Sequence, residues 1–333
     1  MDRVQLQKKL NDEYQKLTTY KEKMAFLYYI IIQSQKYRLE YMGQEGIINL
    51  DELLKKVSSV SNDDEFADLL EVEVLRKLNL GHMRITPVEE KLNLDELPLD
   101  LKEKKQAYDA KANTFYEVNG STMIVTIPSF SRVHFVKEKE QNTYKNIKTS
   151  LMENDIQNII IDIRGNGGGT DEYFELLFPI ISDKDLIVNN SFRNLFTNQN
   201  EDHSYVVKGN PDNKKYSIYL LVDNKVFSTA EGFARCCKDN SLATLIGTPT
   251  LGEGFGMTPL EIMLSDKEYN GAYKKDYVKI HGLKMTFPIE APINEFKAID
   301  YAHFYNTVPD IICDPNLSMD VALGLIKENK MSI

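Results

Sequence analysis

Ser228 stands where a buried-looking strand gives way to an amphipathic helix, in the run Tyr-Leu-Leu-Val-Asp-Asn-Lys-Val-Phe-Ser-Thr-Ala-Glu-Gly-Phe-Ala over 219–234. A serine hydroxyl is a weak nucleophile until its surroundings activate it. A helix N-terminus offers open backbone N–H groups and the positive end of the peptide dipoles. Those groups favour the negative oxygen that forms when a carbonyl is attacked. About 60 residues earlier lies a second such place, Asn-Ile-Ile-Ile-Asp-Ile-Arg-Gly-Asn-Gly-Gly-Gly-Thr over 158–170. The two segments together read as nucleophile and oxyanion hole. Taken alone, Ser228 also fits a plain helix N-cap, a position that Ser, Thr, Asp and Asn favour.

The glycine loop follows a buried strand and precedes a helix, which suits backbone binding of a negative group. A nucleotide reading fails in detail. No Gly-Lys-Ser/Thr is present, so this is not a P-loop, and Thr170 stands where a dinucleotide fingerprint needs glycine. The glycines either turn N–H groups toward an oxyanion or make a tight turn.

Residues 3–42 read as one long helix, with Leu6, Leu10, Tyr14, Leu17 and Ala25–Ile32 at helical spacing. A short helix follows at 51–57. Asn62 with Glu65 reads as a capping box opening a third, to about Leu78. The expected organisation is a helical N-terminal domain over 1–80, a connecting segment over 81–113 and an α/β core over 114–333. Residues 86–112, with Pro87, Pro98 and many charges, read as a linker or surface excursion. Residues 114–118 and 121–128 read as a hairpin joined by an Asn119-Gly120 turn. The β-branched run 156–163 fits a central strand covered on both faces. Strands at 186–190, 216–223 and 243–247 alternate with helices at 171–181 and 228–239, as parallel strands with crossovers do. The tail reads as strands at 277–280 and 284–287 and a closing helix at 318–329.

A chain of 333 residues can bury a large core, and 42 % hydrophobic with 27 % charged residues is ordinary for a globular protein. The net charge of −10 argues against a nucleic-acid partner. Three cysteines, two of them adjacent (Cys236 and Cys237) and the third at 313, make neither a disulfide framework nor a metal spacing. They read as small buried residues. The five histidines show no paired ligand spacing, so neither metal nor cofactor is expected. No apolar stretch reaches the length of a membrane span. The first residues lack a leader's apolar segment, so the chain as written reads as cytoplasmic, or as extracytoplasmic if a leader has been removed.

Several of these segments resemble, in order, one family. Asp162-Ile-Arg-Gly-Asn-Gly-Gly-Gly169 is similar to the Asp-Leu-Arg-x-Asn-x-Gly-Gly motif of the tail-specific (C-terminal processing) and tricorn-type serine peptidases, a family related to the interphotoreceptor retinoid-binding protein. Ser228-Thr-Ala-Glu231 with Ile246–Gly252 resembles its nucleophile segment and the Gly-x-x-Thr-x-Gly after it. Phe115–Phe130 resembles its strand pair, and Val308-Pro-Asp-Ile311 the Pro-Asp near its end. The resemblance covers about 77–325. It implies a crotonase/ClpP-like mixed sheet with βαβ units, a peptide or protein substrate and hydrolysis through an acyl-Ser228 intermediate. The oxyanion would be held by backbone N–H groups of Gly168 or Gly167 and of Thr229.

One departure bears on the base. The lysine-dependent branch carries Gly-Lys-Gly-Thr and a glutamine four residues on; here Gly252-Glu253-Gly254-Phe255 and Met257 stand there. A carboxylate does not replace a poised amine. Gly81-His82-Met83-Arg84 resembles the Asp-Gly-His-Thr of the tricorn-like branch, which implies His82 as general base and acid. Imidazole suits both roles near neutrality. Glu253, Glu290 and Asp300 are the candidates to orient it, and Glu231 reads as the far end of a Ser-x-x-Glu capping box. Only 31 residues separate His82 from Thr114, too few for the PDZ module of larger members. Two rival readings remain: an inactive member that binds peptides or apolar ligands, and another acyl-handling enzyme on a crotonase-like core. The long first helix is a candidate contact in a homo-oligomer.

Overall fold

The computed structural model describes residues 2–78, 82–89, 113–188, 190–213, 216–254, 259–268, 280–294, 296–300 and 305–331. The chain divides into two units, each assembled from separate stretches. The first comprises Met1–Gln106, Phe192–Glu201 and Met257–Tyr301, the second Ala107–Ser191, Asp202–Gly256 and Ala302–Ile333. This division does not follow the boundaries expected at 80 and 113, because strands from the tail pack with the N-terminal helices.

In the first unit the expected long helix is two. α1 (Arg3–Gln15) opens on an Asp2–Gln5 capping box. α2 (Tyr20–Tyr41) opens on a second box, Thr19–Glu22. The apolar spacing runs through both helices and hides the break, which the second box marks. α3 (Leu50–Val57) is capped by Asn49. α4 (Asp63–Leu70) is capped by Asn62, whose Oδ1 accepts the Glu65 N–H at 2.9 Å. The reciprocal arm falls one residue early, Glu65 accepting the Ser61 N–H at 2.9 Å. The helix runs on through a π-helical turn (Glu71–Leu75) to Arg76–Leu78.

β1 (Arg84–Glu89) replaces the start of the expected linker; residues 90–112 lie outside the described residues. It pairs antiparallel with β12 (Ile280–Phe287), which pairs antiparallel with β11 (Leu260–Ser265). Pro87 is tolerated because β1 is an edge strand with a register shift between Pro87 and Glu89. β11 carried no expectation, and of the strand expected at 277–280 only Ile280 lies among the described residues. The inner faces of these strands (Ile262, Leu264, Leu283, Met285) share one core with Leu27, Ile30, Phe66 and Leu70. A smaller sheet joins β13 (Glu290–Pro292), β6 (Ser191–Asn194) and β7 (Asn200–Asp202).

α1 closes the outer edge of β11 with side-chain amides. Glu261 N–H donates to Gln7 Oε1 at 2.8 Å, and Gln7 Nε2 returns a bond to Glu261 O. Met263 N–H donates to Asn11 Oδ1 at 3.2 Å, and Gln15 Nε2 donates to Met263 O at 3.0 Å. Spacing of four along a helix puts the three amides in one row, beside the outward groups of alternate strand residues.

The second unit holds a six-stranded mixed sheet. β2 (Phe115–Asn119) pairs antiparallel with β3 (Thr122–Thr126). Asn119 faces Thr122, so the two-residue turn is Gly120-Ser121 rather than Asn119-Gly120. Gly120 (φ +60) takes its first central position, the place of glycine in a type II′ turn. β3 then pairs in parallel with β4 (Asn158–Asp162), β4 with β9 (Ser217–Val222), β9 with β10 (Thr244–Gly247) and β10 with β14 (Ile311–Ile312). Every residue of β4 is buried, as its unbroken apolar run requires.

One face of this sheet packs on α5 (Arg132–Phe135), α6 (Glu138–Glu153), α7 (Phe174–Ile181) and α8 (Thr229–Asp239), with Tyr144, Phe178 and Phe233 in the core. The other face packs on α9 (Ser318–Met331) through Ala322 and Ile326. A short hairpin, β5 (Leu186–Val188) with β8 (Tyr205–Val207), completes the unit. The result is the mixed α/β sheet with βαβ units that the sequence implied. Cys237 is buried, and Cys236 and Cys313 are partly buried. Among the described residues no helix is long and apolar enough to cross a membrane.

Candidate active site

Ser228 sits at the end of the turn that leads from β9 into α8, with φ +56° and ψ −127°. An L-residue enters that region at a cost of about 1–3 kcal/mol and stays only where its surroundings over-determine it. The hydroxyl makes no capping bond to the helix, so N-capping does not account for the residue. The constraint comes from the main chain. Ser228 N–H donates to Gly252 O at 3.3 Å, Phe227 N–H donates to Asn166 O at 3.2 Å, and Gly232 N–H donates to Ser228 O at 2.9 Å.

The glycine loop leans against this turn. A Cβ at Gly168 (φ +92) would stand 2.7 Å from Phe227 O, 2.8 Å from Ser228 Cβ and 2.9 Å from Thr229 N. Only glycine permits both that dihedral and that approach. Asn166, fully buried, holds the loop: its Nδ2 donates to Ile127 O at 3.0 Å and its Oδ1 accepts the Gly168 N–H at 2.9 Å. Thr229 Oγ1 donates to Gly169 O at 2.9 Å.

The Gly168 N–H is therefore engaged within the loop. The N–H groups of Gly167, Gly169 and Thr229 donate to nothing among the described residues. The donors named from the motif are Gly167, Gly168 and Thr229; Gly169 is not among them. Open N–H groups beside a strained serine are what a developing oxyanion needs.

The rest of the glycine motif is scaffolding. Arg164 grips Asp162 with two bonds, Nε to Oδ1 at 2.8 Å and Nη2 to Oδ2 at 2.6 Å, and its Nη1 reaches Ser318 Oγ at 3.2 Å. The Asp162 bonds, and the charge behind them, push the guanidinium pKa up. Asp223 Oδ1 accepts both the Gly165 N–H and the Lys225 N–H at 3.0 Å, joining the two turns. Sequence reasoning missed these roles of Asn166, Arg164 and Asp223; the bonds to Ile127, Ser318 and Gly165 join segments far apart in the chain, which no local pattern marks.

The remaining candidates divide between the units. Glu253 belongs to the second; it is buried, at φ +59, next to the Gly252 that takes the Ser228 N–H. Met257 lies outside the described residues. His82, Glu290 and Asp300 belong to the first unit. His82 is half-buried in the turn before β1; Gly81 of its motif lies outside the described residues. Glu290 is buried and ion-paired with Arg3 of α1. Burial pushes its carboxyl pKa up, against the pull of Arg3. Asp300 N–H donates to Pro292 O at 2.8 Å. Glu231 does not cap α8: its side chain is buried and bonded to Thr307.

A mixed α/β sheet whose parallel strands deliver a strained serine to a helix start, beside a glycine loop, is the layout of a serine hydrolase. The family model of Peptidase family S41 matches residues 121–294, just over half of the chain. The chain belongs to that family, whose members are serine peptidases. It is 27 % identical over 188 residues to the nisin-resistance protein of Lactococcus lactis subsp. lactis; the match spans 53 % of this chain and 57 % of that protein. Among solved structures, mature CPAF is 11 % identical, with 90 % of this chain and 94 % of that one covered and a TM-score of 0.57. A candidate peptidase from Parabacteroides merdae is 15 % identical, with 84 % and 89 % covered and a TM-score of 0.53. At such identities these two structures bear on the fold.

Proposed function

We propose that the chain hydrolyses peptide bonds through an acyl-enzyme on Ser228. The observation that carries this is the strained Ser228 backbone with Gly168 packed against it. The Ser228 oxygen attacks the substrate carbonyl carbon while its proton passes to a base. The N–H of Thr229, with that of Gly167 or Gly169, takes the negative oxygen. The base, now an acid, gives the proton to the leaving amine as the C–N bond breaks. Water then attacks the ester, and the serine regains its proton.

Motif order assigns the base to His82 and offers Glu253, Glu290 and Asp300 to orient it. The test is labelling by a fluorophosphonate probe and hydrolysis of a peptide library by wild type, Ser228→Ala and His82→Ala. One relative is a nisin-resistance protein, so nisin belongs in the library. Expected is loss of labelling in Ser228→Ala and a fall of about 10³-fold or more in hydrolysis for each variant. Equal activity in all three would sink the mechanism. Glu253 in the lysine position favours a second reading, a peptide- or apolar-ligand-binding protein without catalysis. Binding without labelling or turnover in wild type would select that reading.

A further inference from the structure

Glu231 lies three residues after Ser228 in the first turn of α8 and is 0 % exposed. A carboxylate stripped of water needs partners. Its Oε1 accepts the Thr307 hydroxyl at 2.5 Å, and Arg235 Nη2 stands 3.5 Å away. Its Oε2 is buried without a hydrogen-bond partner among the described residues. Thr307 is in turn knitted to Thr250. Thr307 N–H donates to Thr250 Oγ1 at 2.7 Å, and Thr250 N–H donates to Thr307 O at 3.1 Å. Two residues beyond Thr250, Gly252 O accepts the Ser228 N–H. The loop then lies on α8, where a Cβ at Gly254 would stand 2.7 Å from Glu231 Cγ. These contacts close a ring from Ser228 through the helix to Glu231, then Thr307, Thr250, Gly252 and back to Ser228.

The α-helix does not by itself impose φ +56° on the residue before it; the loop bond to Gly252 is one of the main-chain contacts that constrain it, and the ring holds that loop. We propose that Glu231 is a positioning residue for Ser228, acting through Thr307 and Thr250 on the 250–254 loop. This rests on the reading of Ser228 as the nucleophile. A carboxylate that merely stabilised the core would change the melting temperature and leave Ser228 reactivity alone.

The test uses the full chain and four variants: Glu231→Ala, Glu231→Gln (acceptor and volume kept), Thr307→Val (hydroxyl deleted, shape kept) and the Glu231→Ala/Thr307→Val double. Two quantities are read well below each melting temperature: amide exchange of residues 248–254 and 305–308, and the rate of Ser228 labelling by a fluorophosphonate. In Glu231→Ala and Thr307→Val, exchange at Thr250 and Thr307 should quicken by about tenfold or more. Labelling should slow by about 10- to 100-fold. Glu231→Gln should stay within about threefold of wild type, and the double variant should be no worse than the worse single one.

Unchanged exchange overturns the proposal. So does fast exchange with wild-type labelling, or losses that simply add. If wild type itself is not labelled at Ser228, the nucleophile reading fails; the exchange data then decide alone whether Glu231 holds the loop. If Glu231→Ala does not fold, Thr307→Val and Glu231→Gln decide it.

Discussion

Along the outer edge of β11, the amides of Gln7, Asn11 and Gln15 take up the N–H and C=O groups of Glu261 and Met263. In the glycine loop one amide, Asn166, takes the Gly168 N–H, while those of Gly167, Gly169 and Thr229 stay open among the described residues. Both places face the same need, since a backbone group left by its sheet or helix requires another partner. At β11 the need is met at Glu261 and Met263, which blunts that edge toward another strand. At the Ser228 turn it is met only as far as rigidity requires. The unmet donors sit next to the backbone held in a strained conformation, which is where a substrate oxygen would repay them.

Replacing residues in the two places should separate them. Gly168→Ala puts a methyl against Phe227 O and Ser228 Cβ and should slow Ser228 labelling by about 100-fold or more, with circular dichroism unchanged. A near-normal labelling rate would mean that the approach of the loop has no bearing on the serine. Asn11→Ala leaves the Met263 N–H without its partner. It should cost about 0.5–1.5 kcal/mol in urea unfolding and leave the labelling rate of Ser228 unchanged. A labelling defect there would erase the contrast drawn between closed and open donors.

The smallest effect concerns Glu290, beside Arg3 at the start of α1. Its folded-state pKa lies above the ordinary glutamate value because burial outweighs the pull of Arg3. Between those two pKa values the folded chain binds more protons than the unfolded one. This group therefore favours folding below that window, and the contribution is lost as pH rises through it. In Glu290→Gln the slope of stability against pH across that window should flatten, by stability curves taken between pH 4 and 7. An unchanged slope would assign the pH dependence to other groups.

What could be read from sequence was what local pattern controls. The β-branched run of β4, the strand-to-helix join at Ser228 and the short glycine loop all carry their own signals. The break between α1 and α2 did not show in apolar spacing, because both helices bury the same kind of face; Thr19 and Glu22 marked it. β1 was masked by Pro87, which an edge strand tolerates, whereas β11 carries a local signal of its own, Leu260, Ile262 and Leu264 turning inward in alternation with Glu261 and Met263. Glu231 is the instructive miss. Ser-x-x-Glu describes a surface cap and a buried carboxylate equally well, and only Thr307, 76 residues away, distinguishes them. The Asp162–Arg164 pair and the Asn166 bridge were legible as a motif but not as parts with separate tasks, since a motif does not print its partners.

The amide row on α1 also bears on how the chain reaches this state. Gln7 bonds to Glu261, 254 residues further along. At about 5–20 residues per second of synthesis, roughly 10–50 s pass between the emergence of the two. Throughout that interval Leu6, Leu10 and Tyr14, buried in the finished chain, have no β11 to cover them. α1 is thus made long before the strand that covers it, and until β11 emerges its apolar face is open to association with other chains.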